Sequence, residues 1–124
     1  MPLHLYIKPN EKLIIGDAVV VNGPRSTTLT MLSRTPILRE KHILSEDQAD
    51  TPLKRLQYQL QLMLFSEGND PAVKADYDAG AQMLAEQAPE LRAGLTEAQQ
   101  HLEAARYYRA LQAIRLLRND HPHL

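Results

Sequence analysis

The chain has 124 residues, 44% of them hydrophobic and 5% aromatic, with a formal net charge of -1. That size suits one domain, or two small halves sharing a modest apolar interior. The lack of cysteine excludes disulfides, thiolate metal ligands and a cysteine nucleophile, and no apolar run approaches the roughly 18 residues of a membrane helix. No secretory leader is visible, so a cytoplasmic location without membrane contact is expected.

Residues 3–8 alternate in polarity as a strand does, and Pro9-Asn10-Glu11 turns the chain into a second short segment over 12–15. Gly16-Asp17 punctuates. Ala18-Val19-Val20-Val21 is rich in β-branched residues, Asn22-Gly23-Pro24 is a turn, residues 27–33 alternate again, and Ile37-Leu38-Arg39 follows Pro36 as a fifth strand. Residues 1–45 therefore predict a small five-stranded antiparallel module.

Strand chemistry stops at Ser45-Glu46-Asp47-Gln48, which reads as a helix start or as the capped entry to a linker turn. From Thr51-Pro52 to Phe65, the apolar positions Leu53, Leu56, Leu60, Met63 and Leu64 recur at helical spacing. Residues 66–71 break the pattern, and a second helix over 72–87 presents Val73, Tyr77, Ala81 and Leu84. Pro89 opens a third helix, in which Thr96-Glu97-Ala98-Gln99 has capping-box form and marks a candidate restart after Gly94. The stripe Ala98, Leu102, Ala105, Tyr108, Leu111, Ile114 and Leu117 continues nearly to Asn119, and residues 119–124 are expected to fray. The fold class expected is α+β: the β module, then a bundle of about three helices over 46–124, packed as one domain.

Charge is unevenly divided. Residues 1–45 hold six Lys and Arg against three Asp and Glu, whereas the remainder holds eight against twelve. A polyanion, if bound, should meet the N-terminal part; the alternative is ordinary solvated charge.

Catalytic constellations are missing, so no enzyme activity and no cofactor are expected. His121 and His123 lack the further ligands of a closed zinc site, and no metal site is expected. Glu97 and His101 lie four apart on one helix, as a surface pair does. Tyr107-Tyr108, flanked by Arg106 and Arg109, could stack on nucleobases, but packing is the favoured use: Tyr108 enters the core with Leu111, while Tyr107, with Arg106, flanks it or meets a partner protein. The N-terminal half has Tyr6 as its single aromatic, which rules out a multi-ring platform and leaves phosphate contacts and hydrogen bonds to splayed bases. Lys8 and Arg39 lead the RNA-binding candidates, with Lys12, Arg34 and Lys41 beside them. The competing use of Arg39 and Lys41 is protection of a sheet edge against aggregation.

The segments MPLHLYIKPNEKLIIGDAVVVNG, TPILREKHILSEDQADTPLKRLQYQLQLML and YYRALQAIRLLR together resemble the FlbT family of flagellin regulators. The resemblance implies a post-transcriptional regulator acting on the 5′ leader of flagellin mRNA, with a FlaF-like flagellar protein as a second partner. Residues 3–43 are also similar to the RNA-binding regulator CsrA, through Ile15-Gly16-Asp17 after the second strand and Leu38-Arg39-Glu40-Lys41-His42-Ile43 at the end. That similarity places Arg39 at the RNA-contacting arginine of the CsrA family and implies a strand-exchanged homodimer bringing Lys8 of one copy near Arg39 of the other. The chain departs from the pattern at Ile7, where the family has a basic residue, and in a shorter loop around Gly23. The rival reading is a protein-binding adaptor or chaperone accessory of flagellar assembly that touches no RNA.

Overall fold

Pro9 and Asn10 shape the first reversal of the chain: Asn10 takes a φ of 59°, and the Glu11 N–H donates to Lys8 O at 3.2 Å. Proline followed by a left-handed asparagine is what a type II turn demands. In the computed structural model, which describes residues 2–16, 18–66 and 68–124, this turn joins β1 (Leu3–Ile7) to β2 (Lys12–Ile15). Then come β3 (Ala18–Val21), β4 (Thr27–Met31), β5 (Ile37–Arg39) and a 3-10 turn at Glu40–His42. The five strands fall where the sequence predicts them, with β1 and β4 slightly shorter.

Their association differs from the single module expected. β1 pairs with β4 from Leu3↔Met31 to Ile7↔Thr27, while β2 lies between β3 and β5, giving two small antiparallel sheets. The β3–β4 connection explains the division. Asn22 Nδ2 donates to Lys8 O at 2.8 Å and to Arg25 O at 3.0 Å, and the Asn10 N–H donates to Gly23 O at 2.9 Å. These bonds tie the connection to the β1–β2 turn instead of closing a β3–β4 hairpin. β1 pairs with β4, and β5 with β2. Gly16 turns β2 into β3 at a φ of +62° and donates its N–H to Pro36 O at 2.8 Å. Asp17 of the Ile-Gly-Asp turn lies outside the described residues. Ile7, Leu13 and Leu38 are buried, whereas Val19, Val20 and Val21 of β3 stay exposed.

Residues 1–43 and 44–124 form separate units. Ser45 to Gln48 is a turn rather than a helix start, closed by Gln48 N–H to Ser45 O at 3.1 Å and Ser45 N–H to Gln48 Oε1 at 2.9 Å. The buried Gln61 side chain then holds Leu44 from both sides, accepting its N–H at 3.0 Å and donating to its carbonyl at 2.8 Å. Thr51 caps α1 (Pro52–Ser66) through Oγ1, which accepts the Lys54 N–H at 3.3 Å. Asp70 caps α2 (Pro71–Gln87) by accepting the Ala72 and Val73 N–H groups, with Pro71 in the first turn. Next come a 3-10 turn at Pro89–Leu91, α3 (Arg92–Glu103) and α4 (Tyr107–Asp120). The architecture is α+β, with four α-helices among the described residues rather than about three.

The extra helix arises because the expected third helix breaks at Ala105, not after Gly94. Ala105 adopts a φ of 58°, its N–H donates to Leu102 O at 3.0 Å, and the Arg106 N–H donates to His101 O at 2.8 Å. That pair of bonds is a Schellman ending, with alanine in the left-handed position where glycine is usual. Ala105→Gly is therefore expected to raise stability in urea unfolding by about 1 kcal/mol, the strain of one left-handed alanine. Gly94 sits inside α3 because Leu117 of α4 lies against it: a Cβ there would come within 2.7 Å of Leu117 Cγ. Gly94→Ala gains helix propensity but overpacks this contact, and a net loss of about 1–2 kcal/mol is expected on the same measurement.

α1 packs against α2 and α4, α4 also packs against α3, and α2 and α3 touch only lightly. Leu53, Leu60, Tyr77, Leu91, Leu111 and Ile114 fill the interior. The C-terminal residues are engaged rather than frayed: Leu53 N–H at the start of α1 donates to Leu124 O at 2.9 Å, and Leu124 N–H to His121 O at 3.0 Å.

Candidate nucleic-acid interface

Pairing of β2 with β5 sets Arg39 opposite Leu13, and so diagonal to Glu11 just before β2. Arg39 Nε donates to Glu11 Oε2 at 2.9 Å, and Nη2 donates to Glu11 Oε1 at 2.8 Å and to Tyr6 O at 2.5 Å. Glu11 Oε1 also accepts the Lys8 N–H at 2.9 Å, and Glu11 is only 8% exposed. The Arg39 hydrogen bonds, followed by the Lys8 N–H, hold the Glu11 carboxyl at a pKa of about 2 despite the opposing effect of burial. The same pairing raises the Arg39 pKa. A planar guanidinium matched to both carboxylate oxygens is the strong form of ion pair. Arg39, assigned to RNA from the sequence, is thus engaged inside its own chain, bracing β5 against β1 and the turn that follows it.

Lys8, Lys12, Arg34 and Lys41 remain exposed, and none has an ion-pair partner among the described residues. Tyr6, 60% exposed, shares the outward parity of β1 with Lys8. Arg34 lines a recess of about 440 Å³ with Leu3, Met31, Thr35 and Ile37. Sequence reasoning passed over Arg25, an exposed cation in the loop held by Asn22; its signal was its place beside the Asn22-Gly23-Pro24 turn. Arg39 and its neighbours therefore divide into one internally bound guanidinium and a set of exposed cations.

The aromatic pair on α4 is oriented opposite to expectation. Tyr108 is exposed, at 39%, instead of entering the core. Tyr107 is half-buried, with its ring over the backbone of Gly68, so a face of this proposed partner contact is used internally. Arg106 is exposed, just before α4. Arg118 donates from Nη1 to Oε1 of the buried Gln57, which joins the C-terminal half of α4 to the N-terminal half of α1. The two helices are antiparallel.

Among the described residues, no cluster of three or more His, Asp or Glu side chains is placed to hold a metal ion, and no helix is long and apolar enough to cross a membrane.

The family model for flagellar protein FlbT matches residues 3–120. A probable flagellum biosynthesis repressor protein FlbT from Rhodopseudomonas palustris strain TIE-1 is 34% identical over 117 residues, covering 94% of this chain and 92% of its own. A probable flagellum biosynthesis repressor protein FlbT from Caulobacter sp. strain K31 is 33% identical, with coverage of 94% and 91%. The flagellum biosynthesis repressor protein FlbT of Caulobacter vibrioides strain ATCC 19089 is 32% identical over 94% of this chain and 84% of its own. No solved structure matches. With a family match running from β1 to the end of α4 and relatives above 30% identity along almost their whole length, the chain belongs to the FlbT family.

Proposed function

We propose that this chain regulates flagellum biosynthesis after transcription, binding the 5′ leader of flagellin mRNA and controlling its translation or stability. The observation that carries the regulatory part is near full-length similarity to proteins named flagellum biosynthesis repressors. Direct RNA contact is supported by Lys8, Lys12, Arg34 and Lys41, exposed and without an ion pair among the described residues, in a unit rich in cations. Lys8 with Tyr6 offers a phosphate contact beside a stacking face. Arg39 serves this reading as the brace that holds the Tyr6–Lys8 edge rather than as a free base reader.

Filter binding of the full chain to a flagellin leader transcript at two salt concentrations tests the proposal. Direct binding predicts a steep loss of affinity with salt, about 0.7 in log slope for each phosphate contacted on a single strand. Lys8→Gln with Lys12→Gln should flatten that slope. No leader binding by the unaltered chain would reject direct contact.

A second reading, a protein-binding adaptor of flagellar assembly, draws on β3. Val19, Val20 and Val21 are exposed on a sheet edge that bears no charge, the condition that edge strands ordinarily avoid. A FlaF-like protein is the partner that belongs to this reading, and a salt-insensitive complex would favour it; a homodimer belongs to the RNA reading, through the CsrA similarity.

A further inference from the structure

We infer that the solvent face of the α1–α4 pair is a second anion-binding surface, one that takes phosphates and stacked bases of single-stranded RNA. It rests on the RNA reading above and extends it to a part of the chain that the net charge had set aside.

The acidic sum over residues 46–124 conceals a segregation of charge. α1 contains Lys54 and Arg55 and no acid, and α4 with the residue before it contributes Arg106, Arg109, Arg115 and Arg118 against Asp120 alone. From α2 through α3 the balance reverses: Asp76, Asp78, Glu86, Glu90, Glu97 and Glu103 outnumber Lys74 and Arg92. α1 packs on α4, with α2 against α1 and α3 against α4, so the two basic helices are direct neighbours and the two acidic ones lie outside that pair. A polyanion is therefore drawn to the basic pair and repelled by the acidic helices.

Two of the basic-side cations are already engaged. Lys54 pairs with Asp50 at 3.1 Å, and Arg118 bonds Gln57. Arg55, Arg106 and Arg109 are exposed and without an ion pair among the described residues. Arg115 is half-buried, and burial lowers its pKa, with Tyr108 opposing this and Arg118 adding to it; a nearby phosphate would relieve that penalty.

Aromatic rings interleave these cations. The Arg55 guanidinium lies 5.9 Å from the centroid of the half-exposed Tyr58 ring, and the exposed Tyr108 precedes Arg109. Tyrosine faces with adjacent guanidinium groups suit unpaired bases, whose stacking tolerates any sequence. Arg55, Arg106 and Arg109 make no ion pair among the described residues, so the surface favours phosphate over a neutral apolar segment. An acidic protein helix is the alternative occupant, which the rings distinguish.

The full chain, Arg55→Gln/Arg109→Gln and Tyr108→Ala would be titrated with a flagellin leader transcript, oligo(U) and polyglutamate across a salt series, with thermal melts confirming folding. The double variant should bind the leader about tenfold more weakly at low salt and lose about 1.4 in log salt slope, for two phosphate contacts. Tyr108→Ala should weaken leader and oligo(U) binding about fivefold or more at every salt concentration, while leaving polyglutamate unaffected. If the unaltered chain binds the leader and both variants match it, this surface is wrong and the RNA reading stands. If the unaltered chain binds polyglutamate but no RNA, the RNA reading fails and this inference with it.

Discussion

Gly68→Ala is expected to destabilise the helical unit by about 2–4 kcal/mol, combining left-handed strain with overpacking. Gly68 holds a φ of +77° just beyond α1, where its N–H donates to Met63 O at 3.0 Å. A Cβ there would overlap Tyr107 Oη and lie 2.9 Å from Tyr107 Cζ. Tyr107 opens α4, whose next turn buries Ala110 and Leu111, so its backbone is anchored and the ring itself must rotate to relieve the overlap. Urea unfolding of Gly68→Ala, Tyr107→Ala and the double variant separates the two contributions. Removing the ring should recover the steric part, so the double variant loses less than the two single changes added together, while the backbone strain remains. A loss below about 0.5 kcal/mol for Gly68→Ala would be within the range of ordinary surface changes and would contradict the contact.

The five strands and the starts of α1 and α2 were legible because local chemistry specified them. Pro9-Asn10 and Asn22-Gly23 marked turns, and Asp70-Pro71 combined a cap with a favourable first residue. The α3–α4 break carried no such signal, since Ala105 resembles any helical residue while holding a left-handed conformation. That one omission propagated. Running the apolar stripe from Ala98 through Ala105 to Leu117 as one helix assigned Tyr108 an inward phase, whereas the break resets the phase and α4 buries Ala110, Leu111, Ala113 and Ile114. The basic α1–α4 side is invisible to a charge sum along the chain, because only packing shows which helices are neighbours. Arg39 reads from the sequence as an RNA contact or an edge guard; its internal partner depends on the β2–β5 register, which local sequence does not specify.

Arg39→Ala is expected to lower the thermal stability of the N-terminal unit well beyond the loss of an ordinary surface ion pair. It removes three hydrogen bonds at once and leaves Glu11, nearly buried, with only the Lys8 N–H. The pH dependence identifies the cause. Glu11 has its folded pKa depressed from 4.5 to about 2, so the native state binds fewer protons than the unfolded chain between those values. The stabilisation is fully present above pH 4.5 and is lost as pH falls toward 2. Melting curves of the unaltered chain should show this decline, and Glu11→Gln should lack that component. Arg39→Lys keeps the charge but not the two-pronged geometry and should melt close to Arg39→Ala. For RNA, the brace predicts that folded Arg39→Ala keeps the salt slope of the unaltered chain, because no phosphate contact is removed, while Lys8→Gln/Lys12→Gln lowers that slope without losing stability. A fully folded Arg39→Ala that binds the leader more weakly, with a reduced salt slope, would show that this guanidinium leaves Glu11 to contact RNA directly.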